Sequence, residues 1–304
     1  MSEPVMEELE FLVEILERHP VDSLRKIAEE EGIDYYRLKR LYDKYYGKYL
    51  TVNALYNIRE IGLKSFVAFL SVPAEELMRV ASEIGPNPFV VYMNPAFGFK
   101  NGLSLIMHVP TDQTDKIDAL LRRYSPDYEY YEVRAYPYSG DDNFGRWTLS
   151  YDYAVLMDIL KVDARTPITE IARKLGKTRP TVRFMINRLK ELGILVGFTP
   201  TIDMNVHDRG VIGLTKNLDN EILERFKEYE IKVGVLPSYG YLLEWYFSSK
   251  EDLGSKILEF SNYVEKLLIE YFDTFKELND MKYIERFSKM VKKDGSGYNS
   301  ILDF

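Results

Sequence analysis

In the stretch YDYAVLMDILKVD, Tyr153, Leu156, Met157 and Leu160 fall on one stripe at helical spacing, so an amphipathic helix is expected there. ITEIARKLG follows, opened by Thr166-Pro167 and stopped by Gly176. Pro suits a first turn, whose N–H lacks an intrahelical partner, and Gly suits the left-handed position beyond a helix end. After a tight turn, Thr178 is placed to cap RPTVRFMINRLKELG, with Pro180 early and Gly193 terminating. Ile194 to Phe198 reads as a short apolar strand. Helix, helix, tight turn, helix, strand is the order of a winged helix-turn-helix.

The same pattern occurs earlier, at an offset of 144 residues and without a gap. Leu12, Ile15 and Leu16 align with Leu156, Ile159 and Leu160; Leu24, Ile27, Ala28 and Gly32 align with Ile168, Ile171, Ala172 and Gly176. Leu38, Leu41 and Leu50 align with Val182, Met185 and Ile194. Agreement of three segments and a glycine points to an internal duplication.

Each copy is followed by a strand-helix-strand-strand-helix pattern. In the first half this is SFVAFLSV, AEELMRVASEIG, PFVVYM, LSLIMHV and QTDKIDALLRRY. In the second it is VIGLT, NEILERFKEYE, IKVGVL, YLLEWYF and a long helix LGSKILEFSNYVEKLLIEYF. A closing strand is expected at YEYYEVRAY and at FDTFKEL. PAFGF (95–99) and PSYGY (237–241) then mark the same hairpin in two βαββαβ units, with Gly98 matched to Gly240. The expected class is α+β, with two winged helix-turn-helix domains alternating with two ferredoxin-like domains. The expected limits are 1–60, 61–146, 147–204 and 205–278, then a C-terminal helix and flexible tail at 279–304 containing KKDGSGYNS.

Composition narrows the chemistry. There is no cysteine among the 304 residues, which excludes disulfides, thiolate metal sites and cysteine nucleophiles. The three histidines, His19, His108 and His207, are far apart in sequence and lack metal-ligand spacing; a lone strand histidine such as His108 is ordinarily structural. Asp141-Asp142 and Glu29-Glu30-Glu31 suit solvated turns or helix faces better than catalytic pairs. No catalytic residue, metal or cofactor is expected. The apolar runs are too short to span a membrane and the N-terminus is acidic and amphipathic, so a cytoplasmic protein is expected. A single glutamine, Gln113, beside abundant Lys and Glu suits a thermophile.

The net charge is −8, yet Arg165–Glu191 holds Arg165, Arg173, Lys174, Lys177, Arg179, Arg183, Arg188 and Lys190 against only Glu170 and Glu191. Displacing counterions from DNA needs a local basic surface, and a recognition helix presents its N-terminal residues to base edges. Arg179, Thr181 and Arg183 are therefore candidates for bases, and Lys177, Thr178, Arg188 and Lys190 for phosphates; Asn187 lies on the same helix. In the first copy Arg37, Lys39, Arg40 and Lys44 are the counterparts, among Tyr35, Tyr36, Tyr42, Tyr45 and Tyr46, which suit either DNA backbone or a protein partner.

LMDILKVDARTPITEIARKLGKTRPTVRFMINRLKELGIL resembles the DNA-binding segment of the Lrp/AsnC (feast/famine) transcription regulators. The βαββαβ unit after it is similar to that family's regulatory (RAM) domain, which dimerises and often senses amino acids. The resemblance implies a sequence-specific, double-stranded-DNA-binding regulator with a recognition helix at about 178–191, built as an intrachain RAM–RAM pseudo-dimer or a homodimer. Two copies in one chain depart from the family plan. So do Gly240 and Gly98, which stand where relatives carry an effector-binding Asp, so no effector site is assigned. Alternatives are an activator whose first unit recruits a basal transcription factor, and a siroheme-decarboxylase-like enzyme, which the resemblance would equip with His and Arg around a tetrapyrrole.

Overall fold

A computed structural model describes residues 3–138, 140, 143–202, 207–251 and 253–304; the Asp141-Asp142 pair lies outside them. The chain begins with α1 (Glu3–Arg18), α2 (Leu24–Glu30), α3 (Tyr35–Tyr45) and β1 (Leu50–Tyr56). Next come β2 (Leu63–Ser71), α4 (Leu77–Ile84), β3 (Val90–Gly98), β4 (Gly102–Pro110), α5 (Ile117–Leu121), β5 (Tyr128–Glu132) and β6 (Arg134–Ala135). A second three-helix block contains α6 (Tyr151–Val162), α7 (Ile168–Leu175), α8 (Arg179–Glu191) and β7 (Leu195–Ile202). The last block runs β8 (Arg209–Thr215), α9 (Asn220–Arg225), β9 (Lys232–Leu236), β10 (Gly240–Phe247), α10 (Gly254–Phe260), β11 (Lys266–Tyr271), α11 (Lys276–Ile284) and α12 (Arg286–Met290). No helix among the described residues is long and apolar enough to cross a membrane.

Two compact units result, each drawing on both halves of the chain. The first joins the two three-helix blocks. Helices α2 and α7 begin at Leu24 and Ile168, and α3 and α8 at Tyr35 and Arg179. Local caps set these starts: Ser23 and Asp34 accept the amides of Lys26 and Arg37 at 3.3 and 2.8 Å. The blocks do not each close a wing of their own. Strand β1 pairs antiparallel with β7, from Leu50 opposite Ile202 to Ala54 opposite Phe198, so each block gives one strand to a shared ribbon. The core of the first block, with Leu12, Ile15, Leu38 and Leu41, also takes in Ala164 and packs against Phe198 and Ile202 from the second.

The second unit is a nine-stranded sheet in the order β5-β2-β4-β3-β11-β8-β10-β9-β6. Each block in it has the strand order of a ferredoxin-like fold, with the fourth strand beside the first. The fourth strand of the second block also bonds to the second strand of the first, and β6, which follows the fourth strand of the first block, bonds to the second strand of the second. Leu268–Glu270 of β11 pair with Gly98–Ala96 of β3, and Arg134–Ala135 of β6 pair with Val235–Gly234 of β9. The apolar layer Val67, Phe69, Ala96, Ile212, Leu214 and Leu268 combines side chains of both blocks.

Several expectations are corrected. The long helix at LGSKILEFSNYVEKLLIEYF stops at Phe260, and Lys266–Tyr271 is the closing strand, so FDTFKEL is not a strand. The apolar run of KLLIEY fits helix or strand period equally, and pairing on both sides decides for strand. YEYYEVRAY is split at Val133, with β5 bonding to β2 and β6 to β9. PAFGF and PSYGY lie in matched hairpins, but Gly98 does not match Gly240. The counterpart of Gly240, which heads β10, is Gly102, which heads β4, with φ of 150° and 154°. A Cβ on either would collide with the carbonyl of Thr215 or Leu70, whereas one on Gly98 would strike Leu267 of β11.

The expected flexible tail is packed. Ile301 is fully buried, receiving hydrogen-bond contact from the Asn87 side chain at its carbonyl (3.0 Å) and giving its amide to Gln113 Oε1 (3.0 Å). Tyr298 lies edge-on to Phe89 and donates to the Ile61 carbonyl at 2.7 Å.

Candidate nucleic-acid interface

Helix α8 is fixed by its ends and its buried side. Gly176 takes a left-handed conformation (φ 62°), which ends α7, and the Lys177 amide bonds back to the Ala172 carbonyl at 2.9 Å. Thr178 then caps α8 by accepting the Thr181 amide at 3.3 Å, with Pro180 in the first turn. Val182, Met185 and Leu189 are buried and hold the helix on its module. What remains outside is the basic side.

Lys177, Thr178, Arg179, Thr181, Arg183, Asn187, Arg188 and Lys190 are all exposed. Arg179, Arg183, Asn187 and Lys190 form one stripe, at steps of four, four and three residues. Arg188 and Thr181 stand on an adjoining stripe with Phe184, which is 65% exposed. Several cations carry surface ion pairs: Lys174 with Glu170 at 3.1 Å, Lys177 with Asp152 at 2.8 Å and Arg188 with Glu191 at 3.4 Å. Arg173, Arg179 and Arg183 have no acidic partner among the described residues. Arg165, the first cation of the run, is half-buried between the two three-helix blocks. Its guanidinium donates to the carbonyls of Pro20 and Asp22 and to the Tyr42 hydroxyl.

The corresponding face of α3 is largely neutralised. Lys39 pairs with Asp43, Lys44 pairs with Glu8 at 2.6 Å, and Arg37 lies over the Phe11 ring at 5.6 Å. Arg40 is exposed, and its charge helps hold the Glu8 carboxyl below the usual range, after the larger effects of Lys44 and Tyr45. Of the tyrosines, Tyr45 is buried and donates to Glu8, while Tyr46 stacks on Tyr42 and donates to Asp163. Tyr36, 78% exposed, is the most surface-directed of the five.

A cavity of about 650 Å³ lies between the two three-helix blocks. The stripe of α8 borders it through Arg183, Asn187 and Lys190, opposite the turn at Val21–Leu24 and Tyr42. Sequence reasoning did not find this, because the pairing of β1 with β7 that brings the blocks together leaves no local signal.

Two ionisable clusters were also not anticipated. His19, Asp22 and Glu30 bring ligand atoms within 4.8 Å of one another, although the sequence put Glu30 on a solvated face and gave His19 no metal-ligand spacing. Lys26 pairs with both Asp22 and Glu30, and Glu31, which also meets His19, pairs with Arg18 at 2.7 Å. On β11, Glu270 is buried and its carboxyl is pushed up to about 7 by burial, with a further rise from Glu244. The period-two alternation with Leu268, which belongs to the shared apolar layer, was the available signal. His108 is half-buried on β4.

A family model described as winged helix-turn-helix DNA-binding matches residues 151–196. The chain is 37% identical over 82 residues to the HTH-type transcriptional regulator LrpA of Pyrococcus horikoshii, a match covering 25% of this chain and 57% of that regulator. The LrpA of Pyrococcus abyssi matches at the same identity and coverage. The chain thus spans about half the length of these curated relatives. Among solved structures, the siroheme decarboxylase NirDL has a similar fold, with a TM-score of 0.62 at 17% identity, covering 90% of this chain and 99% of that one. The second three-helix block is a winged helix-turn-helix of the DNA-binding class with Lrp-type relatives, inside a mixed α/β fold.

Proposed function

We propose that this protein is a sequence-specific DNA-binding transcription regulator of Lrp/AsnC type, made of two tandem copies of a helix-turn-helix plus RAM-like unit. The observation that carries the reading is the exposed face of α8, where Arg179 and Arg183 stand without acidic partners beside the Thr178 cap. Arg179, Thr181 and Arg183 read base edges, while Lys177, Thr178, Arg188 and Lys190 contact phosphates and Asn187 extends the reading stripe. The intrachain sheet supports a pseudo-dimer within one polypeptide. Because Lys39 and Lys44 are neutralised by Asp43 and Glu8, the first copy contributes less to DNA, and its Tyr36 face suits a protein partner.

Duplexes selected from a random-sequence pool provide the test. Arg179→Ala with Arg183→Ala is expected to lower affinity at least tenfold and to reduce its salt dependence. Arg37→Ala with Arg40→Ala is expected to stay within twofold. Full affinity in the first variant overturns the assignment to α8.

One observation favours a second reading, an enzyme on the same scaffold: the fold shared with a siroheme decarboxylase over most of the chain. Stoichiometric binding of siroheme, read from its visible absorbance, with carbon dioxide release would establish it. No change in absorbance at saturating protein would remove it.

A further inference from the structure

The cavity between the helix-turn-helix blocks has a lining that combines apolar walls with unbalanced positive charge. Leu24, Ile168, Ile186 and Phe198 supply apolar wall, and about 650 Å³ is within the usual range for small-molecule sites. Arg165, Arg183 and Lys190 face it. Asp22 is the one acidic residue in the lining, and its carboxylate is already held by Lys26 at 2.9 Å and His19 at 3.3 Å. Arg165 bonds to backbone carbonyls and Tyr42. Lys190 lies over the Phe198 ring at 5.7 Å. None of the three cations has a carboxylate partner among the described residues.

Arg183 and Lys190 are exposed at the cavity without a carboxylate partner among the described residues, and an anion with an apolar body would both cover the walls and pair with these cations. We infer that this cavity binds a small organic anion, with an aromatic or branched aliphatic body and one carboxylate or sulfonate. Its acid group meets Arg183 and Lys190, and its body lies against Ile168, Ile186 and Phe198. Arg183, Asn187 and Lys190 also belong to the stripe assigned above to DNA. Occupancy of the cavity therefore competes with DNA, a consequence that rests on the DNA-binding reading, whereas the site itself does not.

The full chain is titrated with 8-anilinonaphthalene-1-sulfonate as the apolar anion and with N-phenyl-1-naphthylamine as its uncharged counterpart. One saturable site is expected for the sulfonate, with at least tenfold weaker binding of the amine. Arg183→Ala with Lys190→Ala should weaken the sulfonate at least tenfold, and Ile168→Trp, which fills the cavity, should do the same; circular dichroism checks the fold of each. Absence of a saturable site, or a loss below tenfold in the Arg183/Lys190 variant, overturns the proposal. Displacement of a bound, pool-selected duplex by the sulfonate supports the shared face. Sulfonate binding that leaves the duplex in place keeps the cavity site and refutes the DNA role of Arg183 and Lys190.

Discussion

Arg165 Nη2 donates to the backbone carbonyl of Asp22 at 2.7 Å, joining the entry of α7 to the α1–α2 turn of the other three-helix block. The same guanidinium reaches the Pro20 carbonyl at 2.9 Å and the Tyr42 hydroxyl at 3.1 Å, and lies over the Tyr42 ring. Arg165→Ala leaves several part-buried acceptors without their donor, a loss of about 2–4 kcal/mol in unfolding free energy. Arg165→Lys should recover little of it, since one ammonium cannot reproduce a planar fork of five donors. Urea unfolding checks both, and wild-type stability in the alanine variant would show that the ribbon β1–β7 and the shared core join the blocks without help from Arg165.

Asn279 on α11 takes the place of a missing strand neighbour. Strand β11 pairs with β3 only at residues 96–98, so the edge of β3 at Met93 has no partner from it. Asn279 is buried there, accepting the Met93 amide at 3.1 Å and donating to the Met93 carbonyl at 2.8 Å. Asn279→Ala is expected to cost about 2–4 kcal/mol, and Asn279→Asp more, because a carboxylate would face the carbonyl without a proton to give. Thermal unfolding measures the difference. Equal stability of the alanine variant would mean that water replaces the amide.

These two contacts show where the sequence was informative. The helices of the second three-helix block were legible from local signals: the stripe through Leu156 and Leu160, the Thr178 cap and the Gly176 stop. The exposure of the α8 cations followed from the same periodicity. Partners distant in sequence were not legible. Nothing near Leu195 announces β1 as its neighbour, nothing near Val133 marks the switch from β2 to β9, and KLLIEY has no period that separates strand from helix. The tail misled because KKDGSGYNS has a linker's composition, while the packing of Tyr298 within it and of Ile301 just after it depends on groups far upstream.

His19 provides a pH dependence. Its imidazole is held above the usual histidine range, first by the hydrogen bond to Glu31 at 2.8 Å and then by that to Asp22. Glu31 is pulled down to about 2, by Arg18 first and His19 second. A histidine raised in the folded state contributes stability that is complete below the ordinary value of 6.5 and lost as pH rises through the folded value. Unfolding temperature should therefore fall as pH rises above the ordinary value of 6.5, and His19→Gln should flatten that part of the profile. A His19 ring titrating at or below the ordinary value by NMR would contradict this.

Glu270 gives the same sign from an acid. In the unfolded chain its carboxyl ionises near 4.5, whereas burial moves it to about 7 in the fold, with hydrogen bonds from Ser104 and Asn94 acting in the opposite direction. Glu244, itself raised by burial, faces it from β10, and Tyr246 bonds to Glu244. Between these two values the unfolded state has released its proton and the folded state has not, so stability declines as pH rises and levels off above about 7. Glu270→Gln keeps the shape and has no proton to lose. Relative to the wild type it should be near neutral at pH 4 and gain up to about 3 kcal/mol by pH 8, the equivalent of the shift. Paired urea titrations at the two pH values measure this. An unchanged difference between them would mean that Glu270 ionises in the fold as readily as in the unfolded chain.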